Sequence, residues 1–446
     1  MRMQLNIRRN TLRRKPWYVP YCFLDNDSYD PSSYSLELTN KTETAPINLL
    51  SYNVRMNQLS ILLPDNHSLN EQRFLRSLQK KTVWKKEAES EKFLEFFAGS
   101  GLVAQGLSGY FQPAWANDIC AKKAAVYTAN HGSDHFNLGS VSDIKGTDLP
   151  RASLAWASFP CQDLSLAGLA GGIHASRSGL VWEWLRIIDE MPTRPPVLIA
   201  ENVAGLVSSA GGAHYRVLHQ ALARRGYAVG AMLLDAARWV PQSRPRIFVV
   251  AVDAGVAISP DLLDQSPNWL HTEAICKAAD GLDGWVWWSM PEPPSRQQNL
   301  SDVIEWDAPF ASPETDARNL ELISSRHRKI LECLPDAKPI AAPGYKRTRS
   351  GKQVLELRFD NLSGCLRTPE GGSSRQVIVI KKDGKLHSRL LTVREAARLM
   401  GTPETYKIPG SYNDGYKALG DAVAVPVAGW LAKHLLLPLV KGAPDE

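Results

Sequence analysis

From Phe93 onward, short apolar runs alternate with longer segments that are apolar on one side only. The runs 93–97, 113–117, Leu154–Ala157, 197–200 and 247–252 are four to six residues long, and each stops at a small or polar residue. Runs of this length and composition read as buried strands. Between them, apolar residues recur at helical spacing. Ala124 and Tyr127 make one such set, Leu180, Val181, Trp184, Leu185 and Ile188 a second, and Tyr215, Leu218 and Leu222 a third. Gly226 can end the third helix at C′. The run 247–252 suits a hairpin with 228–234. Strand–helix alternation predicts an α/β fold, a mostly parallel sheet with helices on both faces.

The pattern breaks at both flanks and once inside. Residues 1–90 carry only short apolar patches and read as an accessory region, with one helix expected over 68–85. Residues 253–388 hold Trp285, Trp287 and Trp288 among prolines, then a basic stretch, and read as an inserted domain. Residues 389–446 return to helices. Thr392 with Glu395 three residues on is a capping box, and a last helix over 423–437 takes Pro426 near its first turn. The expected division is therefore 1–90, 91–252, 253–388 and 389–446, with the last segment completing the second. A chain of 446 residues exceeds one ordinary core.

Composition narrows the class. With 44% hydrophobic and 22% charged residues the chain reads as soluble and globular. No run of about eighteen apolar residues stands out, so no membrane span is expected, and no secretory signal is legible. Six cysteines without a CxxC pair suit reduced thiols in a cytosol and argue against a structural zinc site. The net charge of +6 is unevenly placed. Residues 341–390 hold eleven Lys/Arg against four Asp/Glu, and residues 1–15 hold six basic residues and no acid. The embedded basic stretch suits a phosphate backbone. The first fifteen residues read as a solvated arm.

Five segments carry candidate chemistry. Phe97, Ala98, Gly99, Ser100, Gly101 and Leu102 form a glycine turn after the first strand. Ser158, Phe159, Pro160 and Cys161 follow the strand Leu154–Ala157, at the strand end where open α/β sheets keep their chemistry. A thiol there is a candidate nucleophile. Glu201 and Asn202 follow the next strand, Gln242 to Arg246 includes Arg244, and Asp421, Ala422 and Val423 lie near the C-terminus. Together, over roughly 92–252 and 389–438, these segments resemble the cytosine carbon-5 DNA methyltransferase family.

The resemblance implies a Rossmann-like fold that binds S-adenosylmethionine, with an inserted target-recognition domain and no metal. It implies that Cys161 adds to carbon 6 of cytosine, which makes carbon 5 nucleophilic. Glu201, protonated because burial raises its pKa, would donate to ring nitrogen 3, and Arg246 would hold the carbonyl oxygen. Arg244 and Asn202 belong to the same motifs, Arg244 as a structural or phosphate-facing group. The turn 97–102, Pro160 and 421–423 would hold the cofactor. Asp118 would take its ribose hydroxyls, with Ile119 beside it. The competing reading of Asp118 is a helix N-cap. Two positions depart from the family pattern: Glu95 stands for the usual Asp, and Ser140 for the usual adenine-binding Asp, with Asp143 nearby. The glycine-rich loop 162–177 would close over a flipped-out base.

Double-stranded DNA is the implied partner, with a restriction endonuclease of matching specificity in a bacterial cytosol, and the enzyme would act as a monomer. One of Arg367 and Arg375 is expected to read bases, and the Lys346–Lys352 cluster to bind backbone. Two rivals stand beside this reading. RNA relatives of the same fold have a short variable region, whereas residues 253–388 span 136 positions. A DNA-binding regulator with an inert site would not need the Cys161, Glu201 and Arg246 set. Transfer to an exocyclic amino group fits Phe159-Pro160-Cys161 poorly, because that chemistry needs no thiol.

Overall fold

The computed structural model describes residues 90–160, 179–368 and 374–442, and the backbone of three short strands before them. The chain divides into two compact units, Met1–Lys86 and Glu87–Glu446. In the first, β1 (Arg2–Leu5) runs parallel to β2 (Tyr34–Leu38), and β3 (Tyr52–Val54) pairs antiparallel on the other edge of β2. The helix expected over 68–85 lies outside the described residues.

The second unit is built on a seven-stranded sheet. Its strands are β4 (Glu91–Phe96), β5 (Phe111–Asp118), β6 (Phe136–Leu138), β7 (Leu154–Ala157), β8 (Val197–Val203), β9 (Tyr227–Asp235) and β10 (Pro245–Asp253). Their order is β6-β5-β4-β7-β8-β10-β9, with β10 antiparallel to both neighbours and the pairs from β6 through β8 all parallel. The α/β architecture is the one the alternation predicts. The strand order reverses around β4, which opens a crevice at the carboxyl ends of β4 and β7.

Period-2 alternation sorts side chains to two faces. Phe93, Trp156, Ile199 and Phe248 face one core, with Leu102 and Leu107 of α1 (Leu102–Leu107) and Val427 and Leu431 of α9 (Val425–Leu431). Leu94, Ala155, Leu198 and Val249 face the other. There they meet Trp184 and Leu185 of α3 (Leu180–Glu190) and Tyr215 and Leu218 of α4 (Ala213–Ala223). The helix between β5 and β6 is α2 (Ala121–His131). The same alternation puts Glu95, Glu201 and Arg246 on the first face.

Three of the boundaries that differ from the pattern do so for a clear local reason. Phe97 leaves β4 with φ +57, so the turn starts one residue early. Glu201 and Asn202 lie inside β8, because β10 continues the ladder to Arg246 opposite Val203. Helix α4 is capped at Arg224, which puts Gly226 (φ +86) one residue past C′.

The insertion has two parts. Its first packs on the seven-stranded sheet: β12 (Trp287–Trp288) pairs with β11 (Leu263–Asp264), and Trp288, Leu300 and Val303 are buried in the first core. The second holds α5 (Pro313–Glu321), α6 (Ser325–Cys333) and a four-stranded antiparallel sheet. Its strands are β13 (Ile340–Arg349), β14 (Lys352–Leu357), β15 (Val377–Lys382) and β16 (Lys385–Leu390), in the order β14-β13-β15-β16. Ile323, Leu331, Leu355 and Val379 make a small core of their own, while Ile378 and Ile380 on β15 face the first core.

The chain then returns through α7 (Val393–Leu399) and α8 (Tyr412–Gly420) to α9. Both hydrogen bonds of the Thr392–Glu395 capping box form. The span Tyr412–Lys441 is long and apolar enough, at mean hydropathy 1.6, to cross a membrane by length and composition, which simple inspection for an unbroken apolar run does not reveal. It is broken at 421–424, and Tyr416, Leu419, Leu431 and Leu435 are buried in the first core.

Candidate active site

A cleft of about 720 Å³ lies over the carboxyl ends of β4, β5, β7 and β8, within the usual size of a ligand site. Phe97, Ala98, Gly99 and Leu102 form one wall, and Asp118, Ile119 and Ser140 the second. Pro160, Glu201, Asn202 and Arg246 form the third, and Asp421, Ala422 and Val423 close the fourth. Cys161 and the loop 162–177 lie outside the described residues, which stop at Pro160 on the cleft wall and resume at Gly179.

The glycine turn is held from both ends of the chain. The Gly99 amide donates to Asp118 Oδ2 at 2.8 Å, and the Ala98 amide to the Asn117 carbonyl at 2.8 Å. Ser100 and Gly101 do not line the cleft. The Ser100 hydroxyl donates to the Ala418 carbonyl of α8 at 2.6 Å, and Tyr406 donates to the Ser100 carbonyl at 2.6 Å. Gly101 has φ +80, and a Cβ there would come within 2.6 Å of the His131 ring, so glycine is required twice over.

Asp118 is not the N-cap of α2; Cys120 holds that position, without a side-chain cap bond. The second oxygen of Asp118, Oδ1, accepts from the Cys120 amide at 2.8 Å, which fixes the carboxylate at the cleft edge. Each carboxylate oxygen keeps a second lone pair for a hydroxyl donor. Ile119 beside it is 74% exposed, an apolar side chain with no protein cover. Ser140 lines the cleft and its hydroxyl accepts from the Ser142 amide, whereas Asp143 is not part of the lining.

Glu95 is buried on the cleft wall, and neither of its oxygens has a hydrogen-bond partner. Burial, and secondarily the Asp118 charge, pushes its carboxyl well above the usual range. The Ala104 amide pulls the other way without a well-formed bond. Lys123 of α2 reaches Asp421 at 2.5 Å across the cleft. An acid without a partner, a carboxylate set for hydroxyls and an uncovered apolar side chain suit an adenosyl amino acid that carries an ammonium group.

The third wall is a charged pair. Arg246 Nε lies 3.1 Å from Glu201 Oε1, and both side chains are nearly buried. Burial raises the Glu201 carboxyl above its ordinary range; Arg246, Arg244 and Ser158 oppose it without cancelling it. Asn202 acts behind this pair. Its amide donates to the Phe159 carbonyl at 3.1 Å and its oxygen accepts from the Val203 amide, so it fixes the segment leading to Pro160.

Arg244 is structural and faces no solvent. It is 1% exposed and donates to the carbonyls of Leu366, Gly420 and Ala422 at 3.0, 3.1 and 2.6 Å. A phosphate-facing role is excluded by those bonds. Burial lowers its pKa to about 10. The sequence motifs missed Lys123 and Cys365, which also line the cleft, and Arg367, expected as a candidate base reader, lines it with Thr368. Cys365 sits in the insertion, where no spacing marks it. Among the described residues no cluster of His, Cys, Asp and Glu is arranged to hold a metal.

The fold is that of the S-adenosylmethionine-dependent methyltransferases. In structure the chain is similar to a Spodoptera frugiperda DNMT2 mutant, with TM-score 0.52 and 18% identity over 78% of this chain and 99% of that one. Residues 91–436 match the family described as C-5 cytosine-specific DNA methylase, and the chain belongs to that family. Among curated proteins it is 26% identical over 351 residues to the type II methyltransferase M.MspI of Moraxella sp, covering 78% of this chain and 71% of that one. It is also 26% identical to the type II methyltransferase M.Bsp6I of Bacillus sp. (strain RFL6), covering 76% of this chain and 96% of that one.

Proposed function

We propose that this protein transfers the methyl group of S-adenosylmethionine to carbon 5 of a cytosine turned out of double-stranded DNA. The observation that carries the reading is the buried Glu201–Arg246 pair on a cleft wall it shares with Pro160, the residue before Cys161.

In the proposed reaction the cytosine stacks into the cleft with its nitrogen 3 edge toward Glu201. Cys161 adds as a thiolate to carbon 6, the proton on Glu201 moves to nitrogen 3, and Arg246 donates to the carbonyl oxygen. Carbon 5 then carries the electron pair that takes the methyl group. Loss of the carbon 5 proton to a base, departure of the thiolate and return of the nitrogen 3 proton to Glu201 restore the neutral aromatic ring. When bound, S-adenosylmethionine supplies the electrophilic methyl. Asp118 would hold its ribose, Glu95 its ammonium group, and Ile119 and Phe97 its adenine. A raised Glu201 pKa is what the donor role needs.

An insertion with its own sheet and core supports duplex DNA over a short RNA substrate, since reading the major groove requires side chains delivered from outside the catalytic sheet. The proposal extends to a monomeric enzyme in a bacterial cytosol, paired with a restriction endonuclease that shares its target. Bisulfite sequencing of DNA from a methylation-free host expressing the chain tests the reading. Protected cytosines at one recurring sequence are expected. Uniform conversion would overturn it.

A further inference from the structure

Most arginines of the basic insertion are already engaged. Arg349 pairs with Glu356, Arg358 with Asp360 and Arg389 with Glu395. Arg375 donates to Asn413 and lies over Tyr412. Arg347 and Arg367 differ. Neither makes a hydrogen bond or an ion pair with any described residue, and both lie over the ring of Tyr345, at 5.1 and 5.8 Å from its centroid.

Tyr345 is fixed where it stands. It is buried on β13, donates to the Cys365 carbonyl at 2.6 Å and accepts from Gln376 at 3.0 Å. Gly364 lies so close that a Cβ would come within 2.8 Å of the ring. The tyrosine thus anchors the segment that enters the cleft, and both guanidinium groups lie against its ring. Glu356 is the carboxylate that feels the Arg347 charge, and it is already paired with Arg349; two like charges against one ring are relieved by an anion that both can reach. Ring stacking leaves the donor fork free, and that fork suits a phosphate. Arg367 lines the same cleft as Glu201 and Arg246.

We propose that Arg347 and Arg367 form a backbone clamp on Tyr345 that grips the phosphodiester next to the target cytosine. The clamp rests on the nucleic-acid reading above. It gives Arg367 a sequence-independent task, in place of the base reading that its position in the chain suggests.

The test uses the full chain and binding alone. Arg347→Gln and Arg367→Gln are titrated with a duplex carrying the target cytosine and with a scrambled duplex, across salt concentrations. Each replacement should weaken both duplexes equally and reduce the slope of log affinity against log salt by about one. A methylphosphonate, neutral, in place of the phosphate flanking the target should weaken the wild type but add no further loss to Arg367→Gln. Tyr345→Phe should keep the salt slope and Tyr345→Leu should lower it. A far-ultraviolet circular dichroism spectrum and a urea midpoint matching the wild type certify folding of each variant. An unchanged salt slope, or a loss confined to the target sequence, overturns the clamp. Absence of methyl transfer with the predicted slopes intact would instead overturn the proposed reaction and leave the clamp standing.

Discussion

At the scale of single residues, the catalytic assignments make sharp demands. Cys161→Ser should abolish methyl transfer and leave duplex binding intact, because a hydroxyl at neutral pH is a far poorer nucleophile. Trapping with 5-fluorocytosine duplexes reads this directly: a covalent adduct with the wild type and none with the variant. Asp118→Ala should weaken S-adenosylmethionine binding by about 1.5–3 kcal/mol, the value of a hydrogen bond to a charged acceptor, as measured by calorimetry. Glu95 makes a prediction about stability. Its carboxyl is raised by burial, so it stays protonated in the folded chain at pH values where the unfolded chain has already released the proton. The folded state then binds more protons, and stability falls as pH rises from about 4.5 toward the raised value. Glu95→Gln should flatten that fall and leave the variant the more stable at neutral pH. Urea midpoints across pH decide it. Period-2 alternation makes the shared face of Glu95, Glu201 and Arg246 legible without coordinates. The engaged state of Ser100 and Arg244 is not legible, because their side-chain partners lie 318 and 121 or more positions away.

Among the elements, the return from insertion to catalytic domain depends on one buried carboxylate. Glu395 caps α7, accepts the Glu305 amide and pairs with Arg389 through two bonds of 2.6 and 2.7 Å. Both side chains of that pair are almost wholly buried. Glu395→Ala strands a buried guanidinium, so a loss of about 3–5 kcal/mol is expected in chemical denaturation. Replacing Arg389 and Glu395 together with apolar residues should cost much less, which separates a stranded charge from a lost cap. The capping box itself is readable from Thr392 and Glu395 three residues apart. The ion pair is not, since nothing in the spacing says that β16 ends against α7.

The whole molecule closes its cleft with residues far apart in the chain. Arg244 binds carbonyls at 366, 420 and 422, which ties the β9–β10 hairpin to the insertion and to the C-terminal segment. Helix α1 meets α9 at Gly106, where a Cβ would come within 2.5 Å of the Val425 carbonyl. A chain ending at residue 388 should therefore bind S-adenosylmethionine far more weakly than the full chain, and supplying 389–446 as a separate polypeptide should restore part of that affinity. Equilibrium dialysis checks both. The order of motifs predicts that the last segment rejoins residues 91–252. It does not predict that the glycine turn depends on α8 for its shape.

That dependence also sets a timetable. The hydroxyl of Ser100 finds its acceptor 318 residues later. At about 5–20 residues per second of translation, the turn leaves the ribosome roughly 15–60 s before Ala418 is made. Until then the half-built sheet exposes the apolar surface that α9 will cover, and a nascent chain has no cofactor site. An enzyme born this way cannot modify a genome while still attached to its message, and chaperones have a long interval in which to find it.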